Sequence, residues 1–301
     1  MSGEPADEHR YGSLIRSYVL RRSHFSPAQR CAHERLMPVF GIPFSRAPLD
    51  LRAVFGRQAS TILEVGFGMG ETTAEIAAAN PTLDYIGVEV HTPGVGALLK
   101  LLEARGLSNV RVIEHDVQEV LHHQIPDGSL TGVHVFFPDP WPKSRHHKRR
   151  LIQQQFVNKL TTKLCSGGYL HLATDWPDYA EQMVTTLAAT AGLVLLPETV
   201  TRHPAHRNAA PPPADGGTGS NATESTRARP VRPVTKFERR GMTLGHPIAD
   251  IVARKTGTAS LKQCDTERGP RDGPASDKGT KRQPLRPQST PKPCQITPRS
   301  Q

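Results

Sequence analysis

Between Thr61 and Gly192 the sequence alternates five times between a short apolar segment and a helix-forming one, and this alternation restricts the possible folds most. The short segments are rich in Val, Ile and Leu, as strands buried on both faces are. Strands separated by helices form βαβ units, in which the strands run parallel and the helices cover the sheet. We therefore predict an α/β fold with a mostly parallel sheet, built on TILEV, DYIGVEV, NVRVIEHD, LTGVHVFF and YLHLATD.

A glycine-rich turn follows the first predicted strand and leads into a helix. Gly66, Gly68 and Gly70 follow Glu64, and the third glycine comes one residue earlier than in the dinucleotide fingerprint G-x-G-x-x-G. Glu71 at the helix start would also repel a diphosphate, which helix N-termini otherwise favour. An acid followed by GxGxG suits a ligand with a cationic amino-acid part and no diphosphate, such as S-adenosylmethionine. The three glycines would then be cofactor-binding; the alternative is a purely structural turn.

Acidic residues also end the second and third predicted strands. Glu89 lies about 20 residues beyond the glycines, where an acid holds ribose hydroxyls in dinucleotide-binding folds. Asp116 ends the third strand, in position for an adenine amine or neighbouring groups. Each acid could be only a helix cap. Three acids at three successive strand ends, with Glu64 as the first, favour a ligand site instead.

The stretch FFPDPWPKSRHHKRR follows the fourth predicted strand and combines a carboxylate, an aromatic ring and a basic run. Its strand would deliver Asp139 to the carboxyl edge of the sheet. Trp141 offers a ring on which an unstacked base could stack, or it could close the mouth of the core. His146 and His147 belong to the polar face, because no third metal ligand lies nearby.

The basic run of this stretch fits the phosphate backbone of a nucleic acid. Exposed charge runs are often only solvated helix starts. The helix dipole, however, makes cations unfavourable at a helix N-terminus, and a bound anion would explain their placement. The candidate backbone contacts are Arg145, Lys148, Arg149 and Arg150, and Lys143 starts the run.

The composition indicates an anionic partner and a chain that is folded only in part. Hydrophobic residues make up 36% of the 301 residues, and the net charge is +10. After Lys255 there are nine Lys/Arg and four Asp/Glu, so half of the excess charge belongs to this tail. We predict disorder in 1–10 and in the basic, Pro-rich tail 256–301, and one domain over 11–255 with a low-complexity loop at 206–230.

No sequence feature indicates secretion, a membrane or a metal. The N-terminus is polar and lacks the apolar stretch of a signal peptide, and no run of 18 apolar residues is present. The four cysteines form neither a CxxC pair nor a zinc pattern with histidine. We therefore expect a cytoplasmic protein without membrane association or a metal site.

Six stretches carry a family resemblance: ILEVGFGMGE, GVEVHTPGVGALL, GLSNVRVIEHDV, FFPDPWPKSRHHKRR, ATDWPDYAE and RPVTKFERRG. With a weaker match in IRSYVLRRSHFSPAQR, they make the sequence similar to the bacterial tRNA (guanine-N7)-methyltransferases. The resemblance covers about Ile62 to Arg240. The loop between His206 and Pro230 and the tail after Lys255 depart from the family pattern.

This resemblance implies a Rossmann-like class I methyltransferase fold, with a seven-stranded, mostly parallel sheet whose last strand is antiparallel. It implies methyl transfer from S-adenosylmethionine to N7 of the variable-loop guanine of tRNA, position 46, without an obligatory protein partner. By motif position, the cofactor-binding acids are Glu64, Glu89, Asp116 and Asp139. The implied substrate-binding positions are Lys143, Asp175, Thr235, Lys236, Phe237 and Glu238.

The implied reaction depends mostly on alignment, because guanine N7 is an unprotonated lone pair at neutral pH and needs no strong general base. Asp139 is the candidate catalytic residue. Its carboxylate could stabilise the positive charge that attack creates on the purine, or accept hydrogen bonds from guanine N1 and N2.

Two other functions remain open from the sequence. Enzymes that methylate exocyclic base amines carry a (D/N)-P-P-(Y/W) block after the fourth strand, and Asp139-Pro140-Trp141 is one proline short of it. A catalytically silent RNA-binding module is the third possibility, and the intact acids at every expected position argue against it.

Overall fold

The computed structural model describes residues 17–18, 24–196, 200–202 and 232–257. The predicted disorder of 1–10, the predicted loop at 206–230 and the predicted tail from residue 258 onward lie outside the described residues. Among the helices within these ranges, none combines the length and the apolar character needed to cross a membrane.

One mixed sheet forms the centre of the described structure. Its strands are β1 (Thr61–Val65), β2 (Asp84–Glu89), β3 (Val110–Glu114), β4 (Leu130–Phe136), β5 (Leu164–Thr174), β6 (Leu193–Leu195), β7 (Val200–Arg202) and β8 (Ile248–Lys255). They are ordered β3-β2-β1-β4-β5-β8-β6, and β7 pairs with β8 beside β6, so β6 and β7 share one edge position. Strands β1 to β5 pair in parallel, and β8 runs antiparallel to its neighbours. The predicted fold class and sheet are confirmed.

Helices cover both faces of the sheet. They are α1 (Pro27–Phe40), α2 (Leu51–Phe55), α3 (Glu71–Ala79), α4 (Thr92–Arg105), α5 (Val117–His123), α6 (Gln154–Lys163), α7 (Pro177–Ala188) and α8 (Lys236–Thr243). Leu36, Ala74 and Leu98 of α1, α3 and α4 pack with one another in one core. Leu160 and Met183 of α6 and α7 belong to the other. Burial on both faces explains why β1 and β2 are buried along their whole length.

Ser26 before Pro27 predicts an N-cap followed by the first residue of a helix, and the structure confirms this helix start. The Ser26 hydroxyl accepts a hydrogen bond from the Gln29 amide, and the Gln29 side chain accepts one from the Ser26 amide. This reciprocal capping box, with Pro27 as the first helical residue, satisfies amide groups that have no partner inside the helix.

The sequence RRLIQQQFVNKLTTKLCSGG predicts one long helix from Arg149 to the glycine pair at 167–168, and this prediction is wrong in its extent. The basic run forms a separate 3-10 helix, Ser144–Arg149, α6 begins only at Gln154, and β5 starts directly after α6 at Leu164. Tertiary contacts explain the interruption, because the Ile152 amide donates to the Tyr179 hydroxyl of α7 and not to a helical carbonyl.

The stretch TKFERRGMTLGHPIADIVARK predicts only a last strand after a turn, so helix α8 was not predicted. The Thr235 hydroxyl accepts a hydrogen bond of 3.0 Å from the Glu238 amide and caps the helix. The sequence TKFE has the Thr-x-x-Glu spacing of a capping box. This local signal could have revealed the helix start.

Candidate active site at the carboxyl edge of the sheet

The predicted acids of β1 and β2 lie at one edge of the sheet. Glu64 pairs in register with Gly87 of β2, and Glu89 pairs with Glu114 of β3, so these three strands end in line. β1 lies between β2 and β4, where the strand order reverses. Ligands of open α/β sheets bind outside the carboxyl ends of the strands at such a point.

The glycine turn leaves open space at two of its three glycines. Gly66 and Gly68 have φ values of 70° and 59°, and a Cβ atom built on either would meet nothing within 4 Å. At Gly70, by contrast, a Cβ would lie 2.5 Å from the Cβ of Leu98. The turn therefore exposes its backbone at the first two glycines, whereas the third permits close packing against α4.

Glu64 is a buried carboxylate beside this turn. It is 3% exposed, and its Oε2 atom has no hydrogen-bond partner in the described structure. Burial raises the pKa of Glu64 to about 7, and the charge of nearby Glu89 contributes to the shift. Such a carboxylate is stabilised in its charged form by a cationic group brought close to it.

Glu89 closes the glycine turn through backbone hydrogen bonds. Its Oε2 accepts from the Gly68 amide at 2.8 Å, and its Oε1 accepts from the amides of Val90 and His91 at 2.7 and 3.0 Å. Burial raises the pKa of Glu89, and these three bonds counteract the increase. The carboxylate therefore joins the end of β2 to the turn after β1.

Asp116 caps a helix in this structure, as the alternative from the sequence proposed. Its carboxylate accepts from the Gln118 amide at 2.8 Å at the start of α5. Its neighbour Glu114, which the sequence did not single out, accepts from the Thr92 hydroxyl at 2.5 Å and lies 2.6 Å from His33 Nε2. The cofactor role of Asp116 stays a prediction.

The loop after β4 has an unusual backbone. Phe137 and Trp141 have φ values of 53° and 44°, in the left-handed region that non-glycine residues rarely adopt. The Trp141 indole donates to the Ser17 carbonyl at 3.0 Å, and the Arg149 guanidinium lies 4.2 Å from its ring centroid. Asp139 lies between these two positions and is exposed. Surrounding contacts must hold such a loop.

The exposed part of the basic run comprises Lys143 and residues of the 3-10 helix Ser144–Arg149, which follows this loop. Lys143, Arg145 and Lys148 are exposed to solvent, and Arg149 is half-buried against Trp141. The pKa of His146 is lowered by desolvation and by the neighbouring cations. Because the run forms a 3-10 helix and α6 begins only at Gln154, the dipole of an α-helix gives no support for a bound anion at the run.

Arg150 is placed differently from its predicted role as a backbone-phosphate contact, and we correct that prediction. It is 2% exposed. Its guanidinium donates to the Pro140 carbonyl at 2.9 Å, to Gln182 at 2.7 Å and to Asp178 at 2.5 Å. A group enclosed by protein acceptors cannot reach a phosphate of bound RNA.

Asp175 and α8 meet on the other side of the site. Asp175 follows β5, and its carboxylate lies 3.8 Å from His246 Nδ1. A Cβ on Gly241 of α8 would lie 3.0 Å from the Asp175 Cβ, so the glycine permits this approach. Thr235 caps α8, and Glu238 in the first turn of α8 is buried. The side chains of Lys236 and Phe237 lie outside the described residues.

A buried ionic cluster beneath this helix was missed in the sequence. Arg232 donates to both carboxylate oxygens of Asp250, at 2.6 and 2.9 Å, and also to Glu238. Its guanidinium lies 5.3 Å from the ring centroid of Phe137. His171 Nε2 lies 2.9 Å from Asp250, whose pKa is strongly lowered because the hydrogen bonds from His171 and Arg232 outweigh its burial. The sequence shows Arg232 in the stretch RPVTKFE, but it does not show that the fold of β8 brings Asp250 next to this residue.

The site fits S-adenosylmethionine. Open space lies in the Cβ direction of Gly66 and Gly68, and the Glu64 oxygen without a partner suits the cationic amino-acid part of this ligand. Within the ranges that the structure describes, no group of three or more His, Cys, Asp or Glu residues is arranged to hold a metal ion.

Comparison with known proteins identifies related sequences. Residues 58–251 match the model of a family described as "Putative methyltransferase". A tRNA (guanine-N(7)-)-methyltransferase of Nitrosospira multiformis is 51% identical over 249 residues, which are 82% of this chain and 97% of the relative. One of Burkholderia mallei is 52% identical over 242 residues, 80% of this chain and 82% of the relative. Among solved structures, the 16S rRNA methyltransferase KamB is 14% identical to this chain, with a TM-score of 0.45. The alignment covers 69% of this chain and 93% of KamB. This likeness supports no inference.

Proposed function

The chain belongs to the tRNA (guanine-N7-)-methyltransferase family, and we propose that the guanine it methylates is that of the variable loop of tRNA, at position 46. The enzyme transfers a methyl group from S-adenosylmethionine to N7 of a tRNA guanine. One structural observation supports the site most strongly. Glu64, Glu89 and the glycine turn meet at the switch point of the sheet, and the loop of Asp139 follows the adjacent strand.

The reaction requires alignment more than proton transfer. When bound, S-adenosylmethionine supplies an electrophilic methyl group on a sulfonium sulfur. Guanine N7 already carries a lone pair, so the protein needs no group to deprotonate it. Positioning of two reactants can contribute roughly 7–11 kcal/mol in favourable cases. The protein therefore has to hold the base and the donor in one line.

On the cofactor side, we assign the charge of Glu64 to the amino-acid part and the carboxylate of Glu89 to the ribose hydroxyls. Glu89 already accepts three backbone hydrogen bonds, so its position is fixed before a ligand arrives. The backbone at Gly66 and Gly68 permits close approach because nothing lies within 4 Å of the position of a Cβ atom at either glycine. The carboxylate of Asp116 would accept a hydrogen bond from the adenine amine or bind a neighbouring group of the cofactor.

On the substrate side, Asp139 is the proposed catalytic residue. Its carboxylate would stabilise the positive charge on the methylated purine or accept hydrogen bonds from guanine N1 and N2. Lys143 follows the loop of Asp139, and Asp175 lies shortly before the start of α7. The block Thr235–Glu238 forms the cap and the first turn of α8. We propose that these groups bind the guanine and its nucleotide.

The exposed cations Lys143, Arg145 and Lys148 would contact the RNA backbone. Lys143 directly precedes the 3-10 helix that carries Arg145 and Lys148, immediately after the Asp139 loop. Neutralising phosphates in this way releases counterions and makes tRNA binding depend on salt. Arg149 would contribute from its position over Trp141.

A nucleoside digest tests the function directly. tRNA incubated with the enzyme and S-adenosylmethionine is digested and analysed by mass spectrometry, and N7-methylguanosine is expected. A matched tRNA with adenosine at position 46 should remain unmethylated. Methylation of this control would contradict the proposed position, and N6-methyladenosine as the product would indicate an exocyclic-amine methyltransferase.

We further propose that the enzyme acts in the cytoplasm without an obligatory protein partner. Purified chain should then methylate tRNA by itself at a rate that is linear in enzyme concentration. Activity that appears only on addition of a cell extract would contradict this expectation.

A further inference from the structure

Arg150 lies in the basic run but does not share its exposure. We propose that Arg150 is a positioning residue, which fixes the loop carrying Asp139 to the start of α7. The inference rests on the proposed catalytic role of Asp139. It assigns to Arg150 a role in the geometry of the reaction and none in holding the RNA backbone.

The contacts of Arg150 join two segments that follow different strands, the loop after β4 and helix α7 after β5. One hydrogen bond of 2.9 Å reaches the carbonyl of Pro140, the residue directly after Asp139. Two others, of 2.7 and 2.5 Å, reach Gln182 and Asp178 in the first two turns of α7. The planar guanidinium provides donors in fixed directions, so one side chain can define the position of both segments.

Additional contacts hold the residues after Arg150 on the same helix. The Arg150 guanidinium lies 4.8 Å from the ring centroid of Tyr179. The Tyr179 hydroxyl accepts from the Ile152 amide at 3.0 Å, and Gln182 donates to the Ile152 carbonyl at 3.0 Å. Backbone and side chain therefore bind α7 together, which limits the movement of the guanidinium.

The loop held by Arg150 needs external support. Phe137 and Trp141, on either side of Asp139, have φ values of 53° and 44°. Non-glycine residues persist in this conformation only when surrounding contacts enforce it. The hydrogen bond to Pro140 acts on the residue between Asp139 and Trp141. At its other end Arg150 binds α7, which begins at Pro177, directly after the segment of Asp175. Arg150 thus joins the loop that carries Asp139 to the helix that follows Asp175.

The distinguishing experiment compares Arg150→Met with Lys148→Met, an exposed cation of the same run. We expect Arg150→Met to lower the single-turnover methylation rate, at saturating tRNA and S-adenosylmethionine, by roughly 100-fold, because small displacements of reacting groups have effects of this size. The slope of log K for tRNA binding against log salt should stay unchanged. For Lys148→Met the slope should fall by roughly 0.7–0.9.

One normalisation and two further variants separate positioning from a loss of folding. Rates are expressed per S-adenosylmethionine-binding site, so unfolded molecules do not count. Ile152→Val, a conservative change at a buried neighbour, should lower the unfolding temperature and keep the rate. Arg150→Lys should recover part of the rate, since an ammonium can make one of the three bonds. If Arg150→Met does not fold, Arg150→Lys and Gln182→Leu provide the same comparison.

The inference is overturned if Arg150→Met keeps the wild-type rate, or if its salt slope falls as that of Lys148→Met does. Failure of the proposed function looks different, because wild-type enzyme would then give no N7-methylguanosine. The two failures are therefore distinguishable in one set of assays.

Discussion

The proposed cofactor side and the proposed substrate side of the site are built in different ways. At the ends of β1 and β2, Glu89 accepts from backbone amides, and glycines shape the turn. On the substrate side, charged and aromatic side chains join distant segments. Arg150 contacts Asp178, and the Trp141 indole donates to the Ser17 carbonyl, 124 residues away in the chain. The glycine turn of the first side follows from one strand-turn-helix pattern, and Glu89 joins it to β2. The second side depends on several side-chain contacts between distant segments.

The comparison predicts that single side chains matter most on the substrate side. Asp139→Ala should lower the methylation rate by roughly 10²–10³-fold, the effect of removing one group that stabilises transition-state charge. tRNA binding should be largely kept. Single-turnover assays and a binding isotherm measure both quantities. Asp127→Asn, on an exposed carboxylate before β4 at the opposite edge, is the matched control and should keep its activity. An active Asp139→Ala enzyme would remove the proposed catalytic role.

The cluster under α8 should dominate stability on that side. Arg232→Met leaves the carboxylates of Asp250 and Glu238 buried without their cation, and loss of one partner from a buried pair costs about 3–5 kcal/mol of unfolding free energy. Urea unfolding measures this cost. Arg239→Met, on the exposed surface of the same helix, should change stability by less than about 0.5 kcal/mol. Equal effects of the two substitutions would contradict the cluster.

Two glycines test the backbone character of the cofactor side. Gly68→Ala introduces a left-handed alanine, a strain of about 1–2 kcal/mol, and its methyl group points into open space. Gly70→Ala adds a clash with Leu98 to a similar strain. We expect Gly70→Ala to be the less stable protein in thermal unfolding, and Gly68→Ala to lose more cofactor affinity in calorimetry relative to its loss of stability. The reverse order would contradict the assigned roles.

Glu64 should make the cofactor side sensitive to pH. Its pKa of about 7 lies above the usual value because of burial, so the folded protein holds a proton that the unfolded chain releases. The contribution of Glu64 to stability is therefore fully present below the usual carboxyl pKa and is lost as pH rises toward 7. A cationic ligand favours the charged form, so S-adenosylmethionine affinity should increase between pH 6 and 8.

Calorimetry in two buffers of different ionisation enthalpy would detect the proton released on binding. Glu64→Gln should abolish this release and weaken binding. The same substitution should make the ligand-free protein more stable than wild type at pH 8. Unaltered proton release in the variant would assign the titration to another group.

The smallest effects per residue are expected from the exposed cations. Each of Lys143, Arg145 and Lys148, changed to alanine, should lower the salt slope of tRNA binding by roughly 0.7–0.9 if it contacts a phosphate. Filter binding at several salt concentrations measures this slope. Lys100→Ala on α4 is an exposed control that should leave it unchanged. A triple variant with the wild-type slope would show the run to be only solvated.

Local sequence was sufficient for much of the fold. The alternation of strands and helices gave the parallel sheet, and Ser26-Pro27 gave the start of α1, because hydrophobic periodicity and capping act over a few residues. The extent of α6 was wrong because the hydrogen bond between Ile152 and Tyr179 replaces a helical one. Helix α8 was missed although the spacing of TKFE contains a cap signal.

The sequence by itself determined the strand segments, the glycine turn and the acids at or near the ends of those segments, since each depends on neighbours in the chain. Only the tertiary structure decided which partners the charged side chains of the proposed substrate side contact. Arg149 and Arg150 are adjacent and identical in sequence, yet one covers the ring of Trp141 and the other is buried against α7. Burial and partners decide whether an arginine binds an external anion or holds the protein together, and both depend on segments that meet only in the folded chain.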